Sequence, residues 1–240
     1  MIAIFDLDET LIHGDCTTLW GEWLCKEGLV TDIPAFIATN ERLMDAYRAQ
    51  TLNQQDCIDL YLAPVKHLTT IEIDALVRRF IIEEIQPIVF QEGLTKIQNY
   101  QNKGKEVIII SASPLFLVTP IAELCFNLKT AFGIDVKVEN DRYTGEIVGV
   151  IPYQDGKITT SEKYLTEKLH ASGIEVNAQV LHEALSECSF YSDSINDLPL
   201  LSKVRYPYTV NPDITLYNVA SAKEWPIFRF ARIGNFSQAS

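Results

Sequence analysis

The sequence has no run of lysines and arginines, and its formal net charge is -12. A nucleic-acid binder needs a basic face that neutralises phosphates, so no nucleic-acid partner is expected. Cysteines are few and odd in number (Cys16, Cys25, Cys57, Cys125, Cys188), and no CxxC occurs. This argues against a disulfide framework and for free thiols in a reducing compartment. Neither the cysteines nor the four histidines show zinc-ligand spacing. No long hydrophobic run is present. The charge-free stretch Val107 to Ala122 is shorter than the roughly 20 residues a membrane span requires, and Pro114 and Pro120 interrupt it. The N-terminus, MIAIFDLDET, lacks a basic n-region, so no signal peptide is expected. There is no internal repeat and no low-complexity tract. These absences predict a cytoplasmic protein with no membrane partner.

What remains is ordinary globular material: 240 residues, 47% hydrophobic and 22% charged. The length suits one core domain with an inserted subdomain. Ile2 to Phe5 is a short β-branched run ending abruptly in Asp6-Leu7-Asp8, and it predicts a strand buried on both faces. Val107 to Ile110 is a second such run, ending in Ser111. Ser189 to Ser192 is a third, ending in Asp193. Tyr208 to Val210 and Ile227 to Phe230 follow. Helical patterns lie between them, at Leu94–Gln101, Thr160–His170, Asp197–Ser202 and Thr215–Ala222. Alternating strands and helices predict an α/β fold with a doubly wound parallel sheet. Val136–Glu139 and Arg142–Val148 flank Asn140-Asp141 and predict an edge hairpin. Residues 14–84 break the alternation with helical stretches such as Ile33–Ala49 and Gln54–Leu62. They predict an inserted helical cap, with residues 1–13 and 85–240 forming the core. Gly234 to Ser240 reads as a frayed tail.

In an open parallel sheet, ligands bind outside the carboxyl ends of the strands. That rule gathers Asp6, Asp8, Ser111 and Asp193 on one edge, far apart as they are in sequence. Asp6 and Asp8 are two residues apart, so an extended backbone would point both side chains the same way. Carboxylates at this density repel one another unless a cation compensates. Hard oxygen ligands suit Mg²⁺, which keeps some waters and bridges to a phosphate. An acidic protein that takes an anionic phosphate must also make its site locally positive, through a metal, a lysine or backbone N–H groups.

Asp6-Leu7-Asp8-Glu9-Thr10 resembles the DxDxT signature of the haloacid dehalogenase superfamily. The resemblance continues through Ser111, through Lys157 in Gly156-Lys157-Ile158, and through Ser192-Asp193-Ser194-Ile195-Asn196-Asp197. Motif order and the place of the insertion are similar to the phosphoserine-phosphatase-like branch (subfamily IB). The resemblance implies a Rossmann-like core with a helical cap, and a phosphatase that acts on a small-molecule phosphomonoester through an aspartyl-phosphate. It implies Asp6 as nucleophile and metal ligand. Asp8 would be general acid, then general base, with its backbone carbonyl on the metal. Thr10 would hold the loop, Ser111 would bind a phosphoryl oxygen, and Lys157 would neutralise charge on nucleophile and phosphate. Asp193 would ligate Mg²⁺, Asp197 would orient metal-bound water, and Asn196 would contact the phosphate. Backbone N–H groups near Leu7 to Glu9 would complete the cradle. An aspartate at position 8 supplies an acid that a dehalogenase does not need, which favours phosphoryl transfer from an oxygen leaving group.

Several residues carry a second reading. Ser113 competes with Ser111, and Lys163 competes with Lys157. Asp197 could cap a helix instead. Trp20 and Trp23 read as core, or as lining of the cap. Asp15 falls where phosphoserine phosphatases carry a glutamate for the substrate amine, and it reads equally as a solvated loop acid. The cap arginine that those enzymes use for the substrate carboxylate has no counterpart at Ile58 to Leu60, and Arg42 and Arg48 lie elsewhere. Histidinol phosphate, or another amine-bearing monoester, therefore stands beside phosphoserine as substrate. A phosphotransferase acting on an alcohol acceptor, and a non-catalytic sensor of the same fold, are the alternative functions. Oligomeric state is not legible.

Overall fold

Ile2–Phe5 forms β1, and every one of its side chains is buried, as its two-sided apolar run predicts. In the computed structural model, which describes residues 2–231, helices α1 (Cys16–Lys26), α2 (Ile33–Arg48), α3 (Gln54–Leu62) and α4 (Thr70–Phe80) follow. A π-helical turn at Ile81–Ile85 leads to α5 (Gln91–Asn102) and β2 (Glu106–Pro114). Then come α6 (Leu115–Phe126), β3 (Ala131–Glu139), β4 (Arg142–Val148), α7 (Asp155–Ala171) and α8 (Ala178–Ser186). The chain closes with β5 (Ser189–Ser192), α9 (Leu198–Leu201), β6 (Tyr206–Val210), α10 (Ile214–Ala222) and β7 (Ile227–Phe228). The expected tail, Gly234 to Ser240, lies outside the described residues. No described helix is long and apolar enough to cross a membrane. The cysteines form no disulfide.

The sheet runs β4-β3-β2-β1-β5-β6-β7 and is parallel except for the β3–β4 hairpin at its edge. Alternation sends β1 side chains to opposite faces. Ala3 and Phe5 join a core shared with Trp20, Trp23, Phe80 and Ile121. Ile2 and Ile4 join a second core with Tyr164, Leu165, Leu185 and Leu201. Helices therefore cover both faces, which is the doubly wound arrangement. Trp20 and Trp23 stack at 5.4 Å and are fully buried. Their indole N–H groups donate to the Tyr61 carbonyl and to Glu83. They are core and do not line the cavity described below.

Two expectations need correction. β2 does not end at Ser111 but continues to Pro114, with a register shift against β3 between Ile110 and Pro114. Gly133 permits this, because a Cβ there would sit 2.6 Å from the Ser113 carbonyl oxygen. β7 is shorter than expected and stops at Phe228. Beyond it the Phe230 N–H donates to the Asn211 side chain rather than to a strand.

The helical stretch beyond β1 is entered and left through one paired crossing. The His13 N–H donates to the Ile88 carbonyl, and the Phe90 N–H to the Leu11 carbonyl, both at 2.9 Å. Its helices reach back over the strand ends. The Gln50 Nε2 donates to Asn196 Oδ1 at 2.9 Å, and the Tyr47 hydroxyl meets Ser194 at 3.5 Å.

The turn before α7 is equally constrained. Gln154 has a positive φ of 51°, and a Cβ on Gly156 would fall 1.9 Å from the Ile151 carbonyl oxygen. Gly156→Ala must displace the start of α7 and with it Lys157. It is expected to destabilise the fold by about 2 kcal/mol, read from urea denaturation. Unchanged stability would show that the turn relaxes freely.

Candidate active site

β1 lies between β2 and β5, so the carboxyl ends of three neighbouring strands meet. A cavity of ≈ 160 Å³ opens there, lined by Asp6, Asp8, Ser111, Lys157, Asp193, Asn196 and Asp197 from the strand ends and their loops. Asp15, Met44, Tyr47, Gln54, Cys57, Ile58 and Tyr61 line it from the helical segment.

Lys157 organises the floor. It is 3% exposed, and its Nζ donates to Asp6 Oδ1 and to Asp197 Oδ2, each at 2.7 Å. Lys163, its competitor in sequence, is exposed six residues further along α7. Asp197 also accepts from the Ser192 hydroxyl at 2.6 Å. Its side chain makes no cap bond to α9, so tertiary pairing wins over the capping alternative. The Thr10 hydroxyl lies 3.4 Å from Asp6 Oδ2 and 3.2 Å from Asp193 Oδ1, bridging the ends of β1 and β5.

Asp8 faces the β2 side. It accepts from the Cys16 N–H at 2.7 Å, from the Ser113 hydroxyl at 2.7 Å and from Ser111 at 3.3 Å. Both serines therefore reach the site, and Ser113 is the closer to Asp8. The Ser111 oxygen also accepts the Ser113 N–H. Asn196 accepts three donors at Oδ1, from Gln50, Tyr153 and Gln154, which leaves its amide –NH₂ for a different acceptor. Asp15 caps α1 by accepting the Thr18 N–H at 2.6 Å, and it lines the cavity as well. One part of the expected backbone cradle is already used: the Glu9 N–H donates to the Gly14 carbonyl at 3.2 Å. Arg42 and Arg48 are exposed, bound to Thr39 and Asp45 on their own helix, and reach no part of the cavity.

The electrostatics are lopsided. Among the described residues, Asp6, Asp8, Glu9, Asp15, Asp193 and Asp197 line the cavity against one cation, Lys157. Burial pushes Asp6 up to about 6, with Lys157 opposing and Asp197 adding to the rise. Burial, then the charges of Asp15 and Asp6, push Asp8 up to about 7. Burial and the neighbouring Asp6 and Asp197 hold Asp193 well above the usual carboxylate range. Burial alone would lower the Lys157 ammonium, but Asp197 and Asp6 reverse that and raise it. Among the described residues, no three Asp, Glu, His or Cys side chains form a closed metal cage. The donor chemistry still fits Mg²⁺. Asp6 and Asp193 converge on Thr10 as two hard oxygen donors, and this ion completes its shell with water and backbone oxygen.

The family model for haloacid dehalogenase-like hydrolases matches residues 3–202. A histidinol-phosphatase of Neisseria meningitidis is 34% identical over 230 residues, covering 95% of this chain and 98% of that protein. A solved structure of a protein with unknown function from Bordetella pertussis superposes with a TM-score of 0.80 at 26% identity, covering 95% of this chain and 97% of that one. A substrate-bound phosphoserine phosphatase superposes at 0.61 with 16% identity, over 96% and 93% of the two chains, which is a likeness of fold.

The raised carboxylates make stability depend on pH. The folded, metal-free chain retains protons on Asp8 up to about pH 7 that the unfolded chain, with carboxylates near 4, has already released. Stability in chelator should therefore fall as pH rises from about 4 to about 7. Added Mg²⁺ should restore it, with a melting-temperature gap that widens across that window. A gap that is constant with pH, or absent, would contradict this charge balance.

Proposed function

The chain belongs to the haloacid dehalogenase-like hydrolases, and from that premise we propose that it is a Mg²⁺-dependent phosphatase of histidinol phosphate with Asp6 as its nucleophile. The observation that carries the reading is Lys157 Nζ at 2.7 Å from Asp6 Oδ1, with Asp8 and two serine hydroxyls across the same cavity.

Lys157 holds the Asp6 carboxylate through Oδ1 and so fixes the orientation in which it attacks phosphorus. Asp197, itself accepting from the Ser192 hydroxyl, holds the ammonium's other side and favours its charged form. The P–O bond to the alcohol breaks as the bond to Asp6 forms, and the leaving oxygen needs a proton. Asp8, pushed up to about 7, carries one in about half of the molecules at neutral pH and can take one back from water in the second step. Ser111, Ser113 and the Asn196 –NH₂ supply neutral donors for the phosphoryl oxygens. Asp6, Asp193 and the Asp8 carbonyl would hold Mg²⁺, which would supply the positive charge that lets a phosphate dianion approach a carboxylate. Residues 14–84 act as the cap that encloses the reaction, with Gln50 and Tyr47 meeting the β5 loop.

The substrate reading rests on charge. Asp15 offers a partner to an amine. Lys157, the only cation lining the cavity among the described residues, is already bound between Asp6 and Asp197. Among the described residues no uncommitted cation there would pair with the carboxylate of phosphoserine, whereas histidinol phosphate has none. The 34% identity to a histidinol-phosphatase over nearly its whole length supports the same choice.

Phosphate release from histidinol phosphate should require Mg²⁺ and stop in excess chelator. Asp6→Asn should be inactive at unchanged fold, and Asp8→Asn should lose about a hundredfold or more in kcat. The ratio of kcat/KM for histidinol phosphate over phosphoserine should be at least about a hundred. Full activity of Asp6→Asn, or a preference for phosphoserine, would contradict the mechanism or the substrate respectively.

A further inference from the structure

Gln54 opens α3 and is 7% exposed. Its buried Nε2 has no hydrogen-bond partner among the described residues, a condition shared only with the Thr160 hydroxyl, which lines no part of the active-site cavity. Burying an amide donor without an acceptor is unfavourable, and folded proteins avoid it where nothing arrives to use the group. Gln54 lines the cavity.

The wall around it narrows what that group can do. Gln54, Cys57, Ile58 and Tyr61 are spaced i, i+3, i+4 and i+7, which sets them on one face of α3, and all four line the cavity. Cys57 and Ile58 offer no strong donor. The Tyr61 hydroxyl is committed to Asn40 Oδ1. Asp15 lines the same cavity and is acidic. The alcohol part of a substrate seated here meets a carboxylate, an apolar surface and the Gln54 side chain, whose buried Nε2 has no partner among the described residues.

We infer that Gln54 is a specificity-determining residue whose Nε2–H donates to an acceptor on the leaving alcohol, the unprotonated imidazole nitrogen in histidinol phosphate. The inference rests on the histidinol phosphate reading given above. It explains how a mostly apolar wall tells an imidazole from an aromatic ring of similar size. A ring without an acceptor leaves the amide unpaired, and a site built around a hydrogen bond rejects such analogues strongly.

Steady-state kinetics at about pH 8, above the ordinary imidazole pKa of about 6.5, test it. The substrates are histidinol phosphate, phenylalaninol phosphate (the same amine on a ring with no acceptor) and p-nitrophenyl phosphate, whose turnover reports the chemistry at Asp6. The wild type should favour histidinol phosphate over phenylalaninol phosphate by about tenfold to a hundredfold in kcat/KM. Gln54→Leu should erase that preference through the histidinol phosphate value alone, leaving the other two substrates within about threefold. Its melting temperature should match or exceed that of the wild type, because a buried unpaired amide is gone. An equal loss for all three substrates, or a lower melting temperature, would make Gln54 a packing residue and overturn the inference. So would an unchanged preference in Gln54→Leu, with the phosphatase reading left standing. A wild type that turns over p-nitrophenyl phosphate but not histidinol phosphate would overturn the substrate reading and this inference together.

Discussion

The buried ammonium of Lys157, held at 2.7 Å from both Asp6 and Asp197, is the contact on which the rest of the site depends. Three ionisable groups taken out of water are stable only if each charge finds a partner. One ammonium between two carboxylates leaves the floor one charge short of neutral, and Asp193 and Asp8 add to the deficit. The site is therefore built to want positive charge. The surplus of carboxylates keeps room for a divalent ion, and through it for a phosphate.

The geometry behind that contact is inexpensive in sequence. β1 and β5 are four residues each, and β2 runs beside them. A parallel ladder brings Asp6, Ser111 and Asp193 together with no long-range side-chain contact needed to specify it. Lys157 is brought in by a different device, a strained turn at Gln154 and a glycine at 156 that no side chain could replace without moving the backbone.

Much of this was legible in the chain before its fold. β-branched runs that end abruptly in acids mark buried parallel strands and the edge on which they terminate, so the sheet and the convergence of Asp6, Asp8 and Asp193 could be read directly. The extent of β2 could not, because its last residues depend on Gly133 across the ladder. The choice of Asp197 between capping α9 and pairing with Lys157 is a tertiary matter, and local pattern cannot rank the two. α8 is missing from the expected elements although Leu181, Ala184 and Leu185 recur at helical spacing, because it is only nine residues long and buries only Leu185. Gln54 sits in the polar stretch Asn53-Gln54-Gln55-Asp56, where nothing distinguishes it. Its interest lies in a missing partner, and only the folded chain reveals that.

The account's central claim is that the Asp6 carboxylate itself carries the phosphoryl group. The most direct measurement is acid quenching of the enzyme during turnover of substrate labelled in its phosphoryl group, followed by peptide mapping of the denatured protein. The account predicts label bound to the peptide that holds Asp6, lost in Asp6→Asn and discharged when the chase is long. Turnover with no label on that peptide at any time, or label on a different residue, would contradict it.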